Sequence, residues 1–134
     1  MIKRLVFLLA IVLLAACREA APESDMTPEE QASLTARNMY QALYRGDYDT
    51  FLDNRLQAGD MPDSYRKAML TNLKQHVAKT RDAHQGVDRI EVSHAVKDST
   101  LQVMQVFLIL NYNDSVREQI VVPMVESDGE WKLK

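Results

Sequence analysis

The sequence predicts an α+β domain, with helices first and antiparallel strands after them, behind an export segment. Three observations predict it. Apolar residues follow helical spacing up to about residue 84 and then alternate with a period of two. Thr27-Pro28-Glu29-Glu30 opens the helical part as a capping box with proline in the first turn. Leu5 to Ala16 is an unbroken apolar run behind Lys3 and Arg4.

That run is too short to span a bilayer as a helix, which takes about 20 residues, and matches the core of a signal peptide. It ends Leu14-Ala15-Ala16-Cys17, and Cys17 is the single cysteine of the chain. Small residues let a processing protease approach the backbone, and a thiol is the nucleophile that lipid attachment requires. The segment resembles the lipobox of bacterial lipoproteins. That resemblance implies a signal peptide over 1–16, diacylglycerol on Cys17 and a membrane anchor. It also implies a place in the cell envelope, with the outer membrane facing the periplasm favoured in a Gram-negative cell, because Arg18 is not the aspartate that favours inner-membrane retention. Removing residues 1–16 takes Lys3 and Arg4 away, so the formal charge goes from −3 to −5. An acidic chain lacks the basic footprint of a nucleic-acid binder, so no nucleic acid is expected. A lone cysteine allows neither an internal disulfide nor a CxxC pair.

Residues 17–26 read as the lipidated cysteine and a tether, with Pro22 and polar Glu23, Ser24 and Asp25. The domain is placed at 27–134. In the first helix Ala32, Ala36, Met39, Tyr40 and Leu43 form one stripe, and Gly46 ends it. Asp47 starts a short second helix carrying Tyr48, Phe51, Leu52 and Leu56, broken at Gly59 to Pro62. Asp63 or Ser64 caps a third, with the stripe Tyr65, Met69, Leu73 and Val77, fading near Ala83 to Gly86. Ile90, Val92, His94 and Val96 then alternate with polar neighbours as a one-sided strand. A turn at Lys97-Asp98-Ser99 leads to a long second strand, Leu101 to Tyr112. Asn113-Asp114 turns into a third, Val116 to Val125, in which Pro123 marks an edge or a bulge. Asp128-Gly129 is a tight-turn pair before the last strand, Glu130 to Lys134.

Tyr44-Arg45-Gly46-Asp47-Tyr48 followed by Phe51-Leu52, and the ending Asp128-Gly129-Glu130-Trp131-Lys132-Leu133, resemble the first helical pair and last hairpin of the NTF2-like (cystatin-like) superfamily. The likeness is nearest to small bacterial lipoproteins with a lumazine-binding-like domain of the DUF4878 type, a family of unknown function. It implies N-terminal helices packed on a curved four-stranded antiparallel sheet that forms a cone. Such cones often hold a ligand, and their outer sheet face often makes a dimer. Some relatives are isomerases or dehydratases.

The second strand has two faces poorly suited to water. Met104, Val106, Leu108, Leu110 and Tyr112 form one; Leu101, Val103, Gln105, Phe107, Ile109 and Asn111 form the other. One packs on helices. The other calls for a homodimer or an envelope protein partner, or for a sheet that curls over itself. His94 is expected to face the core among Ile90, Val92 and Val96, as a local core histidine or a cavity base. Tyr40 and Tyr44 are candidates for a pocket, offering rings with polar tips, and Gln105 is a candidate polar contact; packing between helices is the plainer reading of the tyrosines. Three histidines without HxxxH or HxH spacing point to no metal. Cofactor motifs and nucleophile motifs are missing, so no catalytic residue is assigned. Lys67, Lys74 and Arg81 recur every seven residues on the third helix, a solvated face or a contact for anionic headgroups or an acidic partner. The chain therefore reads as a non-enzymatic envelope module that binds a protein or a small hydrophobic ligand. The alternatives are an isomerase or dehydratase with a cone cavity around His94, and an immunity or assembly-accessory lipoprotein.

Overall fold

The computed structural model describes residues 25–134. The signal peptide, Cys17 and all but the last two residues of the tether lie outside the described residues. Helix α1 spans Pro28–Arg45. The Thr27 hydroxyl accepts from the Glu30 N–H at 3.1 Å, as the capping box requires. Gly46 closes the helix at φ 93°, a left-handed position that suits glycine. Helix α2, Tyr48–Asp53, starts on Asp47, whose carboxylate accepts from the Thr50 N–H. Leu56 falls beyond that helix and is exposed, so the expected stripe stops at Leu52. A turn of tighter helix follows at Ala58–Asp60.

Helix α3 is long, Asp63–His84. The expected cap by Asp63 or Ser64 is absent: Pro62 holds the capping position and has no side-chain hydroxyl or carboxylate to offer. Of its stripe only Val77 is fully buried; Met69 and Leu73 are half-buried and Tyr65 is exposed. Gln85 ends the helix at φ 62°.

Strands β1 (Val87–Asp98), β2 (Val103–Tyr112), β3 (Arg117–Ser127) and β4 (Glu130–Leu133) form one antiparallel sheet in sequence order. Asp128 and Gly129 both take positive φ, 53° and 78°, the two-residue turn that matches strand twist. Leu101 and Gln102 stay in the first hairpin turn, so β2 begins later than the apolar run does.

Pro123 pairs with Gln105 of β2. Its carbonyl accepts from the Lys134 N–H, on the β4 side. A residue's N and C=O point the same way in a strand, so the missing N–H also faces β4, where that short strand runs out. The proline therefore removes no bond of the β2–β3 ladder.

Helix α1 lies on the inner face of the sheet. Ala32, Ala36 and Leu43 meet Val106, Leu108, Leu110, Val122 and Met124 in one core, with Phe51, Val77 and Leu133. Two small alanines let the helix backbone come close, and large strand side chains fill the remaining space. The second strand's even face is thus the buried one, from Met104 to Tyr112.

Candidate functional site

Strand β1 carries two extra residues relative to β2. Val92 pairs with Leu108 and His94 with Phe107, so two steps along β1 match one along β2. Ser93 is the inserted residue of this bulge. Because side chains alternate, one insertion moves everything after it to the other face. His94 was expected inside and instead lies exposed on the outer face, stacked on Phe107 with ring centroids 4.2 Å apart and planes 8° from parallel. Its Nδ1 is 2.9 Å from the Ser93 hydroxyl. The core position expected for His94 is therefore corrected: the ring is exposed at the edge strand, where it also borders a groove between α1 and β1.

The outer face is a continuous surface. Phe107 pairs with Val121, Gln105 with Val96 and Pro123, and Ile109 with Gln119. Val96 and Val121 are 51% and 49% exposed, and Gln105, Phe107, Ile109 and Pro123 are half-buried. At one end Arg89 donates to Glu91 at 2.8 Å and to Asp88 at 3.3 Å, and Glu91 lies 3.6 Å from Arg117, so two arginines balance two carboxylates along that rim. The Glu91 carboxyl is held below the usual range first by its bond from Arg89.

On the inner side a second cluster forms where α1, α3 and the β2–β3 turn meet. Tyr40 packs edge-on against Phe51 at 5.3 Å and lies 6.5 Å from Tyr44. Tyr44 Oη and His76 Nε2 are hydrogen-bonded at 2.9 Å. Tyr112 donates to Glu118 Oε2 at 2.5 Å, and the His84 ring stacks on Tyr112 at 4.2 Å. His84 Nδ1 in turn bonds Asp114 Oδ2 at 2.8 Å. Burial pushes the Tyr44 hydroxyl up to about 12, with Tyr40 and the Glu118 charge adding to it and a Thr80 hydrogen bond opposing. Tyr112 is raised by burial and by its bond to Glu118. Asp114 is lowered by its bond from His84.

The candidate tyrosines are thus together, and His94 and Gln105 share the opposite face. The structure separates these two pairs. Sequence reading missed Tyr112, Glu118, His84 and Asp114 as partners of the tyrosines. Two adjacent i,i+4 pairs, Tyr40/Tyr44 and His76/Thr80, were the available signal.

A raised tyrosine has a readable consequence. The native state keeps the Tyr44 proton over a range in which the unfolded chain, at the ordinary value of 10.0, has lost it. Stability contributed by neutral Tyr44 is present below pH 10 and falls as pH rises toward about 12. Phenolate absorbance should show late titration whose component near 12 is lost in Tyr44→Phe, while the raised Tyr112 still titrates late. All tyrosines titrating together near the ordinary value would contradict the burial described.

Several clefts open around the domain. One of about 570 Å³ is lined by Pro28, Glu29, Lys97, Gln102, Met104 and Trp131. A groove of about 420 Å³ runs between α1 and β1 past Leu34, Arg37, Val92 and His94. The Arg37 Nε is buried without a hydrogen-bond partner among the described residues. Tyr44 borders a smaller cleft of about 270 Å³ with Gln41 and Ile90. Among the described residues, no group of three or more His, Cys, Asp or Glu is placed to hold a metal ion, and no helix is long and apolar enough to cross a membrane.

No protein-family model matches the sequence, and no curated protein matches it. One similar solved structure is a crystal structure from Campylobacter jejuni, described as a provisionally assigned NTF2-like transpeptidase. The match covers 74% of this chain and 93% of that one, with a TM-score of 0.58 and 17% identity. A likeness at that identity is one of fold: helices followed by a four-stranded antiparallel sheet, in the NTF2-like arrangement.

Proposed function

We propose that this protein is a lipid-anchored component of the bacterial cell envelope whose NTF2-like domain is a non-enzymatic interaction module. It is similar in plan to small lipoproteins of the DUF4878 type. The observation that carries the reading is the uncovered outer sheet face around Phe107, Val96 and Val121. Aromatic and branched side chains at the centre of an exposed sheet favour burial against another surface. The partner we assign is a second copy of the chain. A two-fold axis over β2 sets each patch against its own image. The rim of Arg89, Arg117, Glu91 and Asp88, balanced within one chain, then meets its copy without net repulsion.

A small hydrophobic ligand, the second reading, would find apolar lining from Leu34 and Val92 in the α1–β1 groove. An enzyme reading has less support, because among the described residues His94 bonds only the neighbouring Ser93 hydroxyl and stacks on Phe107, and the acidic side chains that line its groove, Glu29 and Glu30, form no bond with it.

Native mass spectrometry of the chain from Ser24 onward tests the proposal, with a dimer as the expected result. Val121→Glu should shift it to monomer, weakening association by at least about tenfold. Stability of the monomer should change by less than about 0.5 kcal/mol, since this side chain is exposed. A wild-type monomer with bound mass lost on denaturation would favour the ligand. A bare monomer would sink both readings.

A further inference from the structure

Charge is segregated in this molecule. Helix α3 holds Arg66, Lys67, Lys74, Lys79 and Arg81 against Asp63 and Asp82, a net of +3. The rest of residues 25–134 carries fifteen acidic and eight basic side chains, a net of −7. A helix of one sign on a body of the other is a local field that survives the overall acidity.

The basic side chains differ in what they do. Arg66 is bonded to Asp49 at 2.8 Å and to Asp53 at 2.9 Å, and it pins α3 to α2. Among the described residues, Lys67, Lys74, Lys79 and Arg81 form no ion pair, and all four are exposed. Lys67, Lys74 and Arg81 recur at seven-residue steps and stay on one face, about 21 Å from first to last at about 1.5 Å per residue. Half-buried Leu70 flanks that row, three residues after Lys67 and four before Lys74. The side of the helix that faces the domain through Val77 and His84 lies about a quarter turn round from that row.

We propose that this face of α3 docks on an anionic lipid surface. A straight row of like charges without a pocket suits a plane of headgroups, which requires no register. A folded acidic partner would need matched spacing and shape. Polybasic helix faces gain about fivefold in local affinity per cation beside anionic lipid. The proposal rests on the lipid-anchor reading for the nearness of a membrane: a tether of nine residues extends at most about 30 Å. Lipid and basic helix would then hold the domain at two points and fix which side of it faces away from the bilayer.

The test uses the full chain, purified from membranes and reconstituted into phosphatidylcholine vesicles with or without phosphatidylglycerol. An amine-reactive label is read by mass spectrometry at each lysine. With phosphatidylglycerol, Lys67 and Lys74 should react at least about fivefold more slowly than without it. Lys97, Lys132 and Lys134 should be unaffected. About 1 M salt, where the screening length falls to about 3 Å, should abolish the difference. Replacing Arg81 by glutamate should weaken the protection of Lys67 and Lys74, with the circular dichroism melt unchanged.

Equal labelling in both vesicles overturns the proposal. So does equal protection in detergent without lipid, which would assign the face to a protein surface. The intact mass taken in the same experiment reports whether diacylglycerol is on Cys17. The anchor reading and the α3 reading therefore fail separately.

Discussion

Leu108→Ala is expected to lower the stability of the domain by about 2–5 kcal/mol, against a total of about 5–15 for a domain of this size. Leu108 is fully buried at the middle of β2, paired with Val92 on one side and Ile120 on the other. Helix α1 presses on it with alanines, which cannot extend to fill a gap. The cavity left by three lost carbons therefore stays largely open, which sets the cost toward the upper part of the range. Ile109→Ala, one residue along the same strand, is the matched control. Its side chain is half-buried on the outer face, so less apolar area returns to water. Denaturant unfolding of the two variants reads the difference, and Ile109→Ala should cost less than about half as much. Equal costs would mean that the sheet does not have one packed and one open face.

Cys17→Ser should end membrane retention through lipid. Two acyl chains contribute on the order of 20 kcal/mol at about 0.8 kcal/mol per methylene, far more than the basic helix. A serine hydroxyl is a much weaker nucleophile than a thiolate, so the lipid is never attached. Processing that depends on the lipid then fails too. The measurement is incorporation of labelled palmitate, with the intact mass and the membrane fraction of the same cells. Wild type should carry label and lack residues 1–16. The variant should carry none and should keep those residues. A wild-type chain without label, or a variant that retains it, would remove lipid anchoring from the account.

Much of the fold was legible because its signals are local. A capping box, a left-handed glycine at 46 and an Asp-Gly turn each act within four residues, and the structure uses all three as read. The even face of β2 was legible for the same reason, since one strand sets its own alternation. His94 was not legible. Its face depends on a count kept by two strands together, and Ser93 upsets that count without any mark in the sequence of β1. The polar cluster was half legible. Tyr40 and Tyr44 are neighbours on one helix turn, but His76 comes from 32 residues away, and Glu118 from later still. Such contacts are decided by how α3 lies against the sheet, which no local pattern specifies. Pro123 in the sequence points to an edge or a bulge; the structure has an inner strand in unbroken register with β2 there, and the proline is tolerated because β4 ends beside it.

The bulge at Ser93 bears on more than the position of one ring. Strand β1 is an outer strand of twelve residues, long enough to invite pairing with a strand from another molecule. An inserted residue breaks the even row of donors and acceptors along that border and sharpens its twist. Copies crowded on a two-dimensional surface meet at high local concentration, where border-to-border pairing would grow into ribbons. The irregular border makes such growth unfavourable, so copies brought side by side by the lipid anchor we propose would remain separately folded.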